Sequence, residues 1–80
     1  MKKLQGKIFQ YTVILEKNEL GGYTVSVPAL PGLVTEGRDL IEARKMAEDA
    51  IRCYLDGLIK AKKKVPVEEE VAQLRVTISI

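Results

Sequence analysis

Eighty residues, 46 % of them hydrophobic and 30 % charged, suit one folded domain and exclude a disordered tail or linker. The net charge of +2, from 13 basic and 11 acidic residues, is too balanced for charge alone to announce a nucleic-acid partner. Without histidine and with one cysteine, Cys53, the chain has no internal disulfide, no plausible zinc site and no nucleophilic triad of the usual forms.

The first element is expected over about residues 8–17. There Phe9, Tyr11, Val13 and Leu15 alternate with Gln10, Thr12 and Glu16, the pattern of a half-buried strand. Asn18-Glu19-Leu20-Gly21-Gly22 supplies turn residues, and Tyr23, Val25 and Val27 then oppose Thr24 and Ser26, so strand two over about 22–28 completes a hairpin. The run Pro28 to Gly37 holds two prolines and two glycines, which fix one backbone path. Gly32 and Gly37 can adopt φ > 0, and a short third strand fits about 32–36.

A helix is expected over about 40–62. Asp39 precedes it and Glu42 follows three residues later, so both side chains can satisfy free N–H groups of the first turn. Ala43, Met46, Ala47, Ala50, Ile51, Tyr54, Leu55, Leu58 and Ile59 recur at three- and four-residue steps and form the packing face, with small residues first for close approach to the sheet. Cys53 reads as a packing residue of this helix. Val71 to Ile80 alternates again, with Leu74, Val76, Ile78 and Ile80 on one side, and predicts a fourth strand over about 71–80. The fold class is therefore α+β, in the order β-β-β-α-β. A right-handed crossover sets strand four parallel to strand one, giving a mainly antiparallel sheet of order 3-2-1-4 under one helix.

The apolar runs are far shorter than the roughly 20 residues that cross a bilayer. Met1-Lys2-Lys3 opens no signal peptide, so a cytoplasmic protein without membrane contact is expected. Lys60, Lys62, Lys63 and Lys64 sit where a helix end exposes carbonyl oxygens, which accounts for them locally; phosphate contact by the same cluster is the alternative. Glu36, Asp39 and Glu42 could together hold a hard cation for a metal-dependent nuclease, although capping explains Asp39 and Glu42 more simply. No catalytic, cofactor or metal residue is therefore assigned.

The combination Gly21-Gly22-Tyr23, Val27-Pro28-Ala29-Leu30-Pro31-Gly32, Thr35-Glu36-Gly37, Glu42-Ala43 and Val65-Pro66 resembles the HicB-type antitoxin domain family. The family motif falls on Pro28, Pro31, Gly32, Thr35, Gly37, Glu42 and Ala43, which read as structural. Leu33 stands where many members carry a cysteine, and Val67-Glu68 where many continue to a second proline. The resemblance implies a partial ribonuclease-H-like fold and a non-enzymatic protein that binds and neutralises a small RNA-cleaving toxin of HicA type. Many members add a C-terminal DNA-binding module, for which this chain leaves no room after Ile80, so direct operator binding is not expected. Because the chain is itself slightly basic, toxin recognition would use local acidic groups: Glu48, Asp49 and Asp56, or Glu68, Glu69 and Glu70. One sheet face and an edge left uncovered by a single helix predict a homodimer.

Overall fold

A computed structural model describes residues 8–80; the Met1-Lys2-Lys3 start lies outside them. Three short strands, β1 (Ile14–Lys17), β2 (Tyr23–Ser26) and β3 (Val34–Gly37), precede one helix, α1 (Leu40–Lys60). The sheet is antiparallel throughout, in the order β1-β2-β3. Ile14 pairs with Ser26 and Lys17 with Tyr23, while Tyr23 pairs with Gly37 and Ser26 with Val34.

The hairpin turn is built by Asn18, whose Oδ1 accepts from the amides of Leu20 and Gly22, both at 3.0 Å. Gly21 takes φ +91° there. Gly37 does not share that reason: it is absent from the positive-φ residues, which include Gly21 and Gly32 (φ +86°). Its constraint is space, because a Cβ on Gly37 would overlap the backbone N and Cα of Ala43. Gly22 is held the same way against the Gly37 carbonyl. The two glycines and Ala43 thus let turn, β3 and helix meet backbone to backbone.

Asp39 caps α1 in extended conformation, its Oδ1 accepting from the Glu42 amide at 2.8 Å. The Glu42 carboxylate turns back to the Arg38 amide at 2.7 Å and to the Arg38 guanidinium, one residue earlier than a standard capping box. Those hydrogen bonds, from the guanidinium first, hold the Glu42 carboxyl below its ordinary value. At the other end, Lys62 adopts φ 58°, its amide donating to Ile59 O at 3.0 Å and that of Lys63 to Leu58 O at 2.8 Å. This is a Schellman closure with a lysine where glycine is the unstrained choice.

Two contiguous clusters form the core. Val25, Ala43 and Ala47 pack with Val13, Leu15 and Tyr23. Val27, Leu30 and Leu33 pack with Tyr11, Val13, Ala50, Ile51, Tyr54 and Leu55. Leu30 is completely buried, so the proline-glycine segment supplies core as well as a turn. Its backbone closes on itself through Leu30 N to Val27 O at 2.9 Å and Leu33 N to Leu30 O at 3.1 Å.

Several expectations change. β1 pairs over four residues, and residues 8–13 approach the helix without joining the ladder. Met46 and Ile59, 38 and 39 % exposed, lie at the margin of the packing face, and Cys53 is exposed. The helix span passes over Cys53 on its wet side because Ala50, Tyr54 and Leu58 already define the inner stripe. The largest difference is the fourth strand: residues 71–80 form no strand, pair with none and are exposed, so the expected order 3-2-1-4 stops at three strands among the described residues.

Candidate functional site

The family-motif residues follow the passage from the end of β2 through β3 to the first turn of α1. Pro28 and Pro31 are exposed, and the Pro31 carbonyl accepts from Tyr54 Oη at 2.9 Å. Thr35 sits in β3 opposite Val25, while Gly37 and Ala43 are buried against each other. Glu42 is spent on Arg38, and Asp39 on the helix cap. The expected cation cluster of Glu36, Asp39 and Glu42 is not assembled: among the described residues no three His, Cys, Asp or Glu side chains are grouped to hold a metal ion.

The charged candidates divide by helix face. Glu48 pairs with Arg44 at 3.6 Å, Asp49 with Arg52 at 3.7 Å and Asp56 with Lys60 at 3.2 Å, all on exposed side chains. Each acid therefore has a cation one turn away, and the helix offers alternating charge in place of an acidic patch. Asp49, Cys53, Asp56 and Lys60 form one outward stripe by their spacing, and Glu48 falls on another side. Lys60 is engaged by Asp56, and Lys62 and Lys63 use their amides to close the helix end; Lys62, Lys63 and Lys64 are exposed. The amides account for the helix end and leave the ammonium groups of Lys62, Lys63 and Lys64 on the surface.

The acidic run behaves differently. Glu68 receives both the amide and the Oγ1 hydroxyl of Thr12, the latter at 2.6 Å, and Tyr11 Oη donates to the Pro66 carbonyl at 2.5 Å. The Thr12 hydroxyl and amide hold the Glu68 carboxyl below its ordinary range; burial, then the nearby Glu68 charge, raises the Tyr11 phenol. Glu68 is thus a clasp that ties the chain after the helix to the segment before β1, whereas Glu69 and Glu70 remain exposed.

Sequence reasoning missed this clasp and the groove beside it. A groove of about 1040 Å³ lies between residues 9–15 and α1, lined by apolar Tyr11, Val13, Leu15, Ile51 and Leu55 and by charged Arg44, Glu48 and Arg52, with the more exposed Phe9 and Leu40 also facing it. Leu40 carried the available signal, since a leucine beside a polar cap is apolar surface with no assigned neighbour. No helix among the described residues is long and apolar enough to cross a membrane.

Comparison with known proteins gives consistent matches. The model of a HicB-like antitoxin of bacterial toxin–antitoxin systems matches residues 11–78. A UPF0150 protein of Thermoplasma acidophilum is 47 % identical over 57 residues, covering 71 % of this chain and 83 % of the relative. A UPF0150 protein of Synechocystis sp. is 38 % identical over 63 residues, covering 79 and 80 %. "Antitoxin HicB 1" of Photorhabdus laumondii is 37 % identical over 67 residues, which is 84 % of this chain and 43 % of that longer protein.

Proposed function

The chain belongs to the HicB-like antitoxin family of bacterial toxin–antitoxin systems, and from that premise we propose that it is a non-enzymatic antitoxin that binds and neutralises a small HicA-type RNA-cleaving toxin. The observation that carries this reading is the match of the family model to residues 11–78, which takes in the sheet, the helix and most of the C-terminal arm. The chemistry available agrees with a binding role: Asp39 and Glu42 are consumed in the helix cap, and the charged side chains of α1 lie on its surface in ion pairs.

The toxin contacts are assigned to the outward stripe of Asp49 and Asp56 with Glu48, and to Glu69 and Glu70 beyond the Glu68 clasp. A basic partner competes for these acids against neighbouring cations that are only loosely held at 3.2–3.7 Å. The protein acts in the cytoplasm as a homodimer, in which the partial ribonuclease-H-like sheet reaches four strands. Titrating the chain against a HicA-type toxin from the same genome tests the reading. RNA cleavage is expected to fall to background at a fixed stoichiometric ratio, and undiminished cleavage with no complex on co-purification would overturn it.

A further inference from the structure

Two features have no counterpart among the described residues: the C-terminal arm and the groove beside β1. Leu74, Val76 and Ile78 are 77, 66 and 73 % exposed although they recur at every second position, the spacing of one strand face. The groove exposes apolar side chains of residues 9–15 and α1, with Gln10, Arg44, Glu48 and Arg52 also lining it, next to a β1 edge that no strand of the described residues covers.

The Glu68 clasp explains why the chain does not complete itself. It sets residue 68 beside Thr12. A parallel strand continuing from there at equal rise would pass β1 with residues 70–73 and draw level with the Asn18 turn at residue 74. Leu74, Val76, Ile78 and Ile80 would then overhang the only edge they could join in that sense.

We propose that two copies exchange arms: residues 71–80 of each chain add to the open β1 edge of the other, and their apolar side closes the other's groove. This deepens the homodimer proposed above and rests on it. A buried Val, Leu or Ile side chain removes about 60–120 Å² of apolar surface. Four such residues on each arm, Leu74, Val76, Ile78 and Ile80, with the groove surface they cover, exclude about 1,000–1,900 Å², which reaches the size of a stable specific interface. Arg75, Thr77 and Ser79 stay on the polar side, and the exposed edge is covered without a further chain.

The test uses the full chain in reducing buffer, with mass read by light scattering and helicity by circular dichroism. One variant damages the arm (Val76→Asp with Ile78→Asp), and another the groove (Phe9→Asp with Leu40→Glu). All four side chains are more than a third exposed in the monomer, so helicity is expected to persist. The unmodified chain is expected at twice its 8.9 kDa mass. Each variant alone should weaken dimerisation about a hundredfold or more, and an equimolar mixture should recover dimers, because one intact arm meets one intact groove. A monomeric unmodified chain would overturn both the exchange and the homodimer. Dimers indifferent to the arm substitutions would remove the exchange and leave the homodimer, and so would a mixture that recovers nothing. If the paired groove substitutions reduce helicity, Leu40→Glu alone takes their place in the mixture.

Discussion

The runs Tyr23–Val27 and Leu74–Ile80 share one pattern, an apolar residue at every second position, and meet opposite fates. In the first, Val25 and Val27 are buried because β1 and β3 flank the strand and α1 covers one face. In the second, the same alternation stands in water. Alternation specifies which side of a strand is apolar, while burial requires a neighbour at the right register. The neighbours of β2 come from short local connections, whereas the arm, which follows the Glu68–Thr12 hydrogen bonds, has no neighbouring strand among the described residues.

If the inner region is held by backbone proximity and a small core, the greatest damage comes from filling that proximity. Gly37→Val is expected to cost about 3–4 kcal/mol, a large part of the stability of a domain this size, because its Cβ meets Ala43 backbone that cannot retreat. Urea unfolding should then show a loss or severe shift of the transition. Leu30→Ala is expected at about 3 kcal/mol, since Leu30 is wholly buried among Val27 and Leu33.

Conformational strain without crowding gives smaller effects. At Gly32 a Cβ meets open space but φ is +86°, so Gly32→Val should cost about 1–2 kcal/mol in the same assay. Relieving the equivalent strain at the helix end has the opposite sign: Lys62→Gly should stabilise by about 1 kcal/mol, a rise in Tm of about 4–8 °C.

The smallest effect belongs to the clasp. The folded Glu68 carboxyl lies below its ordinary value, so its contribution is present at neutral pH and is lost as pH falls through that lowered value. Thr12→Val should remove this acid-dependent part and shift the Tyr11 phenol titration little, since burial is the main cause of its rise. An unchanged acid profile would show that the clasp adds nothing measurable.

Much of the inner fold is legible from residues alone. The Tyr23–Val27 alternation, the Asp39 cap and the Ala43–Ala47–Ala50 spacing each identify an element by a local rule, and the structure places those elements within one or two residues. The role of Gly37 is not, because a close approach to Ala43 depends on where the helix crosses. Nor is the fate of residues 71–80, which turns on register and on what lies beside β1. The acidic candidates were visible as charges, but the cations that pair with Glu48, Asp49 and Asp56 blunt the patch, and Glu68 proved to be engaged with Thr12.

Hydrogen exchange of backbone amides, read at low and high protein concentration, tests the contrast between the two alternating runs most directly. Amides of Tyr23–Ser26 should be equally protected at both concentrations, and those of residues 71–80 should exchange freely when dilute and become protected when concentrated. Protection of 71–80 that is independent of concentration would mean the arm pairs within its own chain, and free exchange at both concentrations would mean it pairs with no second copy; either result contradicts the account.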